Sequence, residues 1–135
     1  ISSNMFGIYL FDHSNENIIN KNVVSQNRWY FSISQKNDYN KIVGNIVKHN
    51  KANAIYVVAN SSHNVIANNI VNSNTGDLGA GIVLGFNSNN TVVNNTVSSN
   101  GLYGILLYQS NNNKKLRKTT LLQTTEYSYY YIMKA

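Results

Sequence analysis

The segment Asn17-Ile18-Ile19-Asn20-Lys21-Asn22-Val23-Val24-Ser25-Gln26-Asn27 decides the fold. Asparagine stands at its first, sixth and eleventh positions, with Ile19 two places after the first and Val24 two places after the second. The same frame returns three times downstream. Asn40, Asn64 and Asn90 repeat Asn17, while Asn45, Asn69 and Asn95 repeat Asn22, and Asn50, Asn74 and Asn100 repeat Asn27. The apolar residues keep step, with Ile42, Ile66 and Val92 answering Ile19 and Val47, Val71 and Val97 answering Val24. Asparagine makes up 26 of the 135 residues. A low-complexity tract of such bias need hold no frame, so the shared frame argues for a structural repeat.

Working outward from this segment, each unit also carries an apolar pair spaced by two. The pairs are Ile8/Leu10, Phe31/Ile33, Ile55/Val57, Ile82/Leu84 and Ile105/Leu107, separated by steps of 23, 24, 27 and 23 residues. A spacing of two is that of a strand with alternating faces, and no unit holds a helical stripe. One such unit cannot bury its apolar face, but stacking the units about 4.8 Å apart buries a continuous core. The expected fold is all-β, a right-handed parallel β-helix of about five coils with three β-faces per coil. Asparagine tolerates the left-handed backbone of sharp turns. Its amide both donates and accepts, so the asparagine columns are expected as ladders in the turns. Leucine-rich repeats have a similar period but are Leu-dominated, and the hexapeptide period of left-handed β-helices is absent.

The order Gly7-Ile8-Tyr9-Leu10 or Gly81-Ile82-Val83-Leu84, then Ser/Asn-x-Asn, Ile/Val and Asn-Asn-x-Val, resembles the parallel β-helix repeats of NosD-like proteins and of the carbohydrate-binding and sugar-hydrolase (pectate-lyase-like) β-helix family. The resemblance covers residues 4–113. It implies a β-helix of a secreted or cell-surface protein, in a superfamily of polysaccharide lyases, hydrolases, epimerases and surface adhesins. Fold does not select among these. Residues 1–113 are expected to form the repeats, as part of a longer solenoid whose adjacent coils are partners. Residues 114–135, with the Tyr127, Tyr129, Tyr130 and Tyr131 cluster, are expected as an atypical tail, either a cap or a truncated coil.

Composition narrows the function. There is no cysteine and no proline, which excludes disulfides and thiolate metal sites. No run reaches the roughly 18 apolar residues of a membrane span. The net charge is +6, but residues 1–113 contribute only +2 of it, with the excess in Lys114, Lys115, Arg117 and Lys118. A short run of this kind reads as a solvated segment rather than a nucleic-acid surface.

Sugar chemistry by general acid and base needs two carboxylates about 5–10 Å apart. The chain has five acids, Asp12, Glu16, Asp38, Asp77 and Glu126. Glu16 and Asp38 occupy turn positions on neighbouring coils, with Asp77 further on. These three are the catalytic alternative, as part of a polysaccharide lyase, hydrolase or epimerase whose active site lies mostly on other coils, but they are too few to make an enzyme the first expectation. His13, His49 and His63 fall at different frame positions, so no metal site and no cofactor are expected.

A non-catalytic structural or carbohydrate-recognition module is the first expectation, with a polysaccharide or other glycan as its candidate partner. The middle residues of the apolar pairs, Tyr9, Ser32, Tyr56, Val83 and Leu106, should face solvent, with Trp29 and Tyr30 in the turn before. Aromatic rings on a flat sheet stack on sugar rings. The long step of 27 residues comes from the loop 75–81, which includes Asp77, and extra length in a solenoid lands on one face. The candidate sugar-binding residues are therefore Tyr9, Trp29, Tyr56 and Asp77. Three glycosylation triplets begin at Asn60, Asn89 and Asn94, and in so Asn-rich a chain such triplets arise by chance.

Overall fold

The structure is a computed structural model that describes residues 1–76, 79–117, 119–122 and 127–132, with the side chains of 114–118 and 121–135 outside the description. The first coil holds β1 (Ile8–Phe11), β2 (Ile18–Asn20) and β3 (Val23–Ser25). The second holds β4 (Phe31–Ser34), β5 (Lys41–Val43) and β6 (Ile46–Lys48), and the third β7 (Ile55–Val58), β8 (Val65–Ala67) and β9 (Ile70–Asn72). Then come β10 (Ile82–Gly85), β11 (Thr91–Val93), β12 (Thr96–Ser98) and β13 (Tyr103–Tyr108). The last strands are β14 (Lys114–Arg117), β15 (Thr120–Leu122) and β16 (Tyr127–Ile132). Every third strand pairs in parallel, giving sheets ordered β1-β4-β7-β10-β13-β16, β2-β5-β8-β11-β14 and β3-β6-β9-β12-β15. The chain is thus a three-sided parallel β-helix, with four turns between β1 and β13.

The register is that of the sequence columns. Val24, Val47, Val71 and Val97 stack inside the third sheet, and Ile42, Ile66 and Val92 inside the second. Phe31, Ile55, Ile82 and Ile105 stack in the first, beside Ile33, Val57, Leu84 and Leu107. All belong to one buried core, against which Ile8, Leu10 and Ile19 of the first coil pack only in part. A buried aliphatic side chain of this size contributes about 1.5–3 kcal/mol, so the core is built from the columns that define the repeat.

The turns differ from expectation in one respect. Asn17, Asn22, Asn27 and their counterparts are not the left-handed residues. That conformation falls one place earlier, on Glu16, Tyr39, His63 and Asn89 in one column, on Lys21, Gly44, Asn68 and Asn94 in the next, and on Gln26, His49, Ser73 and Ser99 in the third. Each such kink turns the backbone out of its ladder, and the following asparagine repairs it. Asn69 Oδ1 accepts the Asn45 backbone N–H at 2.9 Å, and Asn95 Oδ1 accepts that of Asn69 at 2.9 Å. Asn69 Nδ2 donates to the Ile42 carbonyl and to Asn95 Oδ1, both at 2.9 Å. The ladders are therefore real, and their work is to fill hydrogen bonds that the turn would otherwise leave buried and empty.

A fourth column, Ser14, Asn37, Ser61, Asn87 and Ser110, does the same at the turn after the first sheet. Asn37 Oδ1 accepts the Ser14 N–H, Ser61 Oγ that of Asn37, and Ser110 Oγ donates to Asn87 Oδ1. Upstream, Asn4 donates its backbone N–H to Asn27 Oδ1 as Asn27 does to Asn50 Oδ1, and Ser2 bridges Ser25 in parallel. The repeat frame therefore runs from the first residues.

Candidate functional site

The outer face of the first sheet is a grid read from the strand register. Its rows are Tyr9-Phe11, Ser32-Ser34, Tyr56-Val58, Val83-Gly85 and Leu106-Tyr108. The second row carries two serines between rows that carry larger side chains. A groove of about 450 Å³ follows β4 through this low row. Ser32 and Ser34 line its floor, and Tyr9 with Phe6 stands on one side. Tyr56 and Val58 stand on the other, with Trp29 and Tyr30 at one end and Gln35 and Ala59 at the opposite end.

The walls are fixed by ring contacts. Phe6 stacks on Tyr9 at 5.1 Å between centroids and Tyr30 on Tyr56 at 4.7 Å, while Trp29 leans on Tyr30 at 5.7 Å. Such pairs add about 0.5–1.5 kcal/mol each beyond buried area. Across the next coil, the Tyr108 ring lies over Gly85, where any Cβ would collide with it. This lets the Tyr108 hydroxyl reach that of Tyr56 at 3.4 Å. Burial, with the Tyr108 hydrogen bond next, raises the Tyr56 phenol well above its usual range. Burial and then the neighbouring Tyr56 raise Tyr30. Both stay neutral hydroxyls, able to donate and accept at the groove wall.

The structure thus brings Tyr9, Trp29 and Tyr56 to one groove. Ser32 and Val83 point outward as their strand position requires, yet both are covered, at 3% and 1% exposure, between larger neighbours in register. Phe6, Ser34, Gln35 and Ala59 were not among the sequence candidates. The register pairs Gly7 with Tyr30, so Phe6 shares the column of Trp29, and the repeat frame alone contained that signal.

The carboxylates lie elsewhere. Glu16 and Asp38 do meet across neighbouring coils, since the Glu16 backbone N–H donates to the Asp38 carbonyl at 3.1 Å. The Asp38 carboxylate, however, accepts the Ser62 backbone N–H at 2.6 Å and so braces a turn. Asp12 sits 2.6 Å from His13 Nδ1 on an exposed turn. Asp77 lies outside the described residues. His63 stacks on Tyr39 at 4.9 Å, away from His13. Among the described residues no cluster of three His, Asp or Glu is placed to hold a metal ion. No helix among them is long and apolar enough to cross a membrane.

In the loop 75–81 the glycines serve close packing. A Cβ on Gly76 would strike Ala52 Cα at 2.5 Å, and one on Gly79 would strike Gly101 Cα at 2.7 Å. Ala80 is buried and donates its N–H to Asn53 Oδ1. The exposed triplet asparagines Asn60 and Asn94 stand at left-handed turn positions, as does the half-buried Asn89.

A three-sided parallel solenoid with an aromatic groove on one sheet defines a β-helix protein. The family described as "right handed beta helix region" matches residues 1–121, and the chain belongs to it. Two solved structures of the periplasmic alginate epimerase AlgG, a double mutant and a single-site mutant, are similar in fold. Each has a TM-score of 0.55 at 18% identity over 90% of this chain. The chain spans 44% and 43% of their respective lengths. No curated protein matches.

Proposed function

We propose that this chain is a carbohydrate-recognition module of a protein that works outside the cytoplasm, secreted or at the cell surface, and that it binds a polysaccharide without cleaving it. The observation that carries the reading is the groove along β4, walled by Tyr9, Trp29 and Tyr56 and floored by Ser32 and Ser34. Flat rings receive the C–H faces of sugars, while Ser34, Gln35 and the tyrosine hydroxyls hydrogen-bond sugar hydroxyls. The fold shared with a periplasmic, sugar-modifying epimerase supports the same class of ligand and the location. Non-catalytic binding is favoured because none of the groove residues is a carboxylate, and Asp38 is engaged in a turn.

The test is a panel of plant, microbial and host glycans, scored for binding and for released product in the same wells, with and without Ca²⁺. Binding without product is expected. Trp29→Ala and Tyr56→Ala should each weaken it about 30-fold, the loss of about 2 kcal/mol typical of a central aromatic contact. Product release that disappears in Glu16→Ala or Asp38→Ala would overturn the non-catalytic reading in favour of a lyase, hydrolase or epimerase.

A further inference from the structure

We propose that the groove along β4 takes an uncharged glycan chain and discriminates against polyuronates. This rests on the reading of the groove as a glycan site and adds the charge class of its ligand. The groove residues are aromatic, aliphatic, serine and glutamine, with no cation and no anion among them. A uronate chain carries one carboxylate per sugar. Seating it here would strip water from those carboxylates without supplying a partner, and an unpaired ionised group in an apolar site is strongly disfavoured. Proteins that recognise carboxylates do so with arginine forks or clustered cations.

The nearest charges are at the ends of the groove and do not form such a cluster. Arg28 sits with its guanidinium 6.0 Å from the Trp29 ring centroid, at the outer range of a cation–π contact, and is a single cation. Lys36 follows Gln35 on an exposed turn. On the neighbouring coil of the same turn, Asp12 with His13 supplies an opposing carboxylate. The orientation of the ligand follows from the same grid. The two-serine row is low, and its neighbours are high on both sides. The strand Phe31–Ser34 beneath this trough extends about 10 Å at ~3.3 Å per residue. A chain lying in it crosses the solenoid axis and contacts three coils.

The experiment is calorimetric titration of the full chain with neutral oligosaccharides (manno-, cello- and xylo-series) and with oligogalacturonate and oligoalginate, at 0.05 and 0.5 M NaCl. Trp29→Ala and Ser32→Tyr serve as groove variants, with circular dichroism confirming their fold. The expected result is binding of at least one neutral series, unchanged within twofold by salt. It should be weakened tenfold or more by either variant, with the uronates at least tenfold weaker. Tighter uronate binding that the same variants abolish would overturn the charge assignment while leaving the glycan site standing. Binding of neither class would overturn both, and neutral binding indifferent to both variants would place the glycan site elsewhere.

Discussion

Replacing Asn69 by alanine tests whether the ladders hold the turns. The side chain is buried and makes four hydrogen bonds, two to Asn45 and one each to Ile42 and Asn95. Asn45 Nδ2 keeps a second acceptor in the Ile19 carbonyl, and Asn95 Oδ1 keeps the Asn69 N–H. The buried backbone N–H of Asn45 keeps neither. An orphaned buried donor costs about 1–3 kcal/mol, and each of the other bonds about 0.5–1.5 kcal/mol, so the expected loss is about 4 kcal/mol. That is a large share of the ~5–15 kcal/mol that stabilises a typical domain. Urea unfolding followed by far-ultraviolet circular dichroism measures it, with Asn20→Ala, an exposed asparagine in β2, as the control expected to stay within about 0.5 kcal/mol. A loss below about 1 kcal/mol for Asn69→Ala, on the scale of the control, would refute the account of the turns.

Asn68→Gly should act the other way. Asn68 holds a left-handed φ of 55° where the equivalent residue one coil earlier is already Gly44, so relief of that strain should raise stability by up to about 1 kcal/mol in the same assay. Raising pH should reveal the half-buried phenol of Tyr56. Tyr56 ionises above its ordinary value of 10.0, so the unfolded chain releases that proton first. The stability Tyr56 contributes is complete below pH 10 and is lost as pH climbs from there toward its folded value. Spectrophotometric titration should show at least one tyrosine ionising late, and Tyr56→Phe should remove it. Gly85→Ala should push the Tyr108 ring off its coil. The late ionisation would then move down and glycan affinity fall several-fold, whereas an unchanged titration would show that Tyr108 does not position Tyr56.

The core was legible because its columns hold β-branched aliphatic residues at one spacing, as Val24 to Val97 and Ile42 to Val92 show. The ladders were legible for the same reason. The left-handed positions were not, because Glu16, Tyr39, His63 and Asn89 share a backbone conformation and nothing else. Neighbouring coils and ladder bonds impose that φ, and the residue's own preference counts for little. The column from Ser14 to Ser110 alternates between serine and asparagine, two ways of offering an oxygen, and so escaped a search by identity. At the groove, Ser32 reads in the sequence as a break in an aromatic column. In three dimensions a small residue between large ones is what makes a trough. The part of Trp29 was legible as an outward aromatic, while that of Phe6 needed the register between coils.

The left-handed turn positions have a consequence for how such a chain changes over time. One slot carries an acid, a phenol, an imidazole or an amide on successive coils without disturbing the asparagine beneath it. The residues that fasten the solenoid and the residues it presents are separate sets. A rim of this molecule is thus an interchangeable display, whose lettering is free to be rewritten coil by coil while the rack that carries it stays as it is.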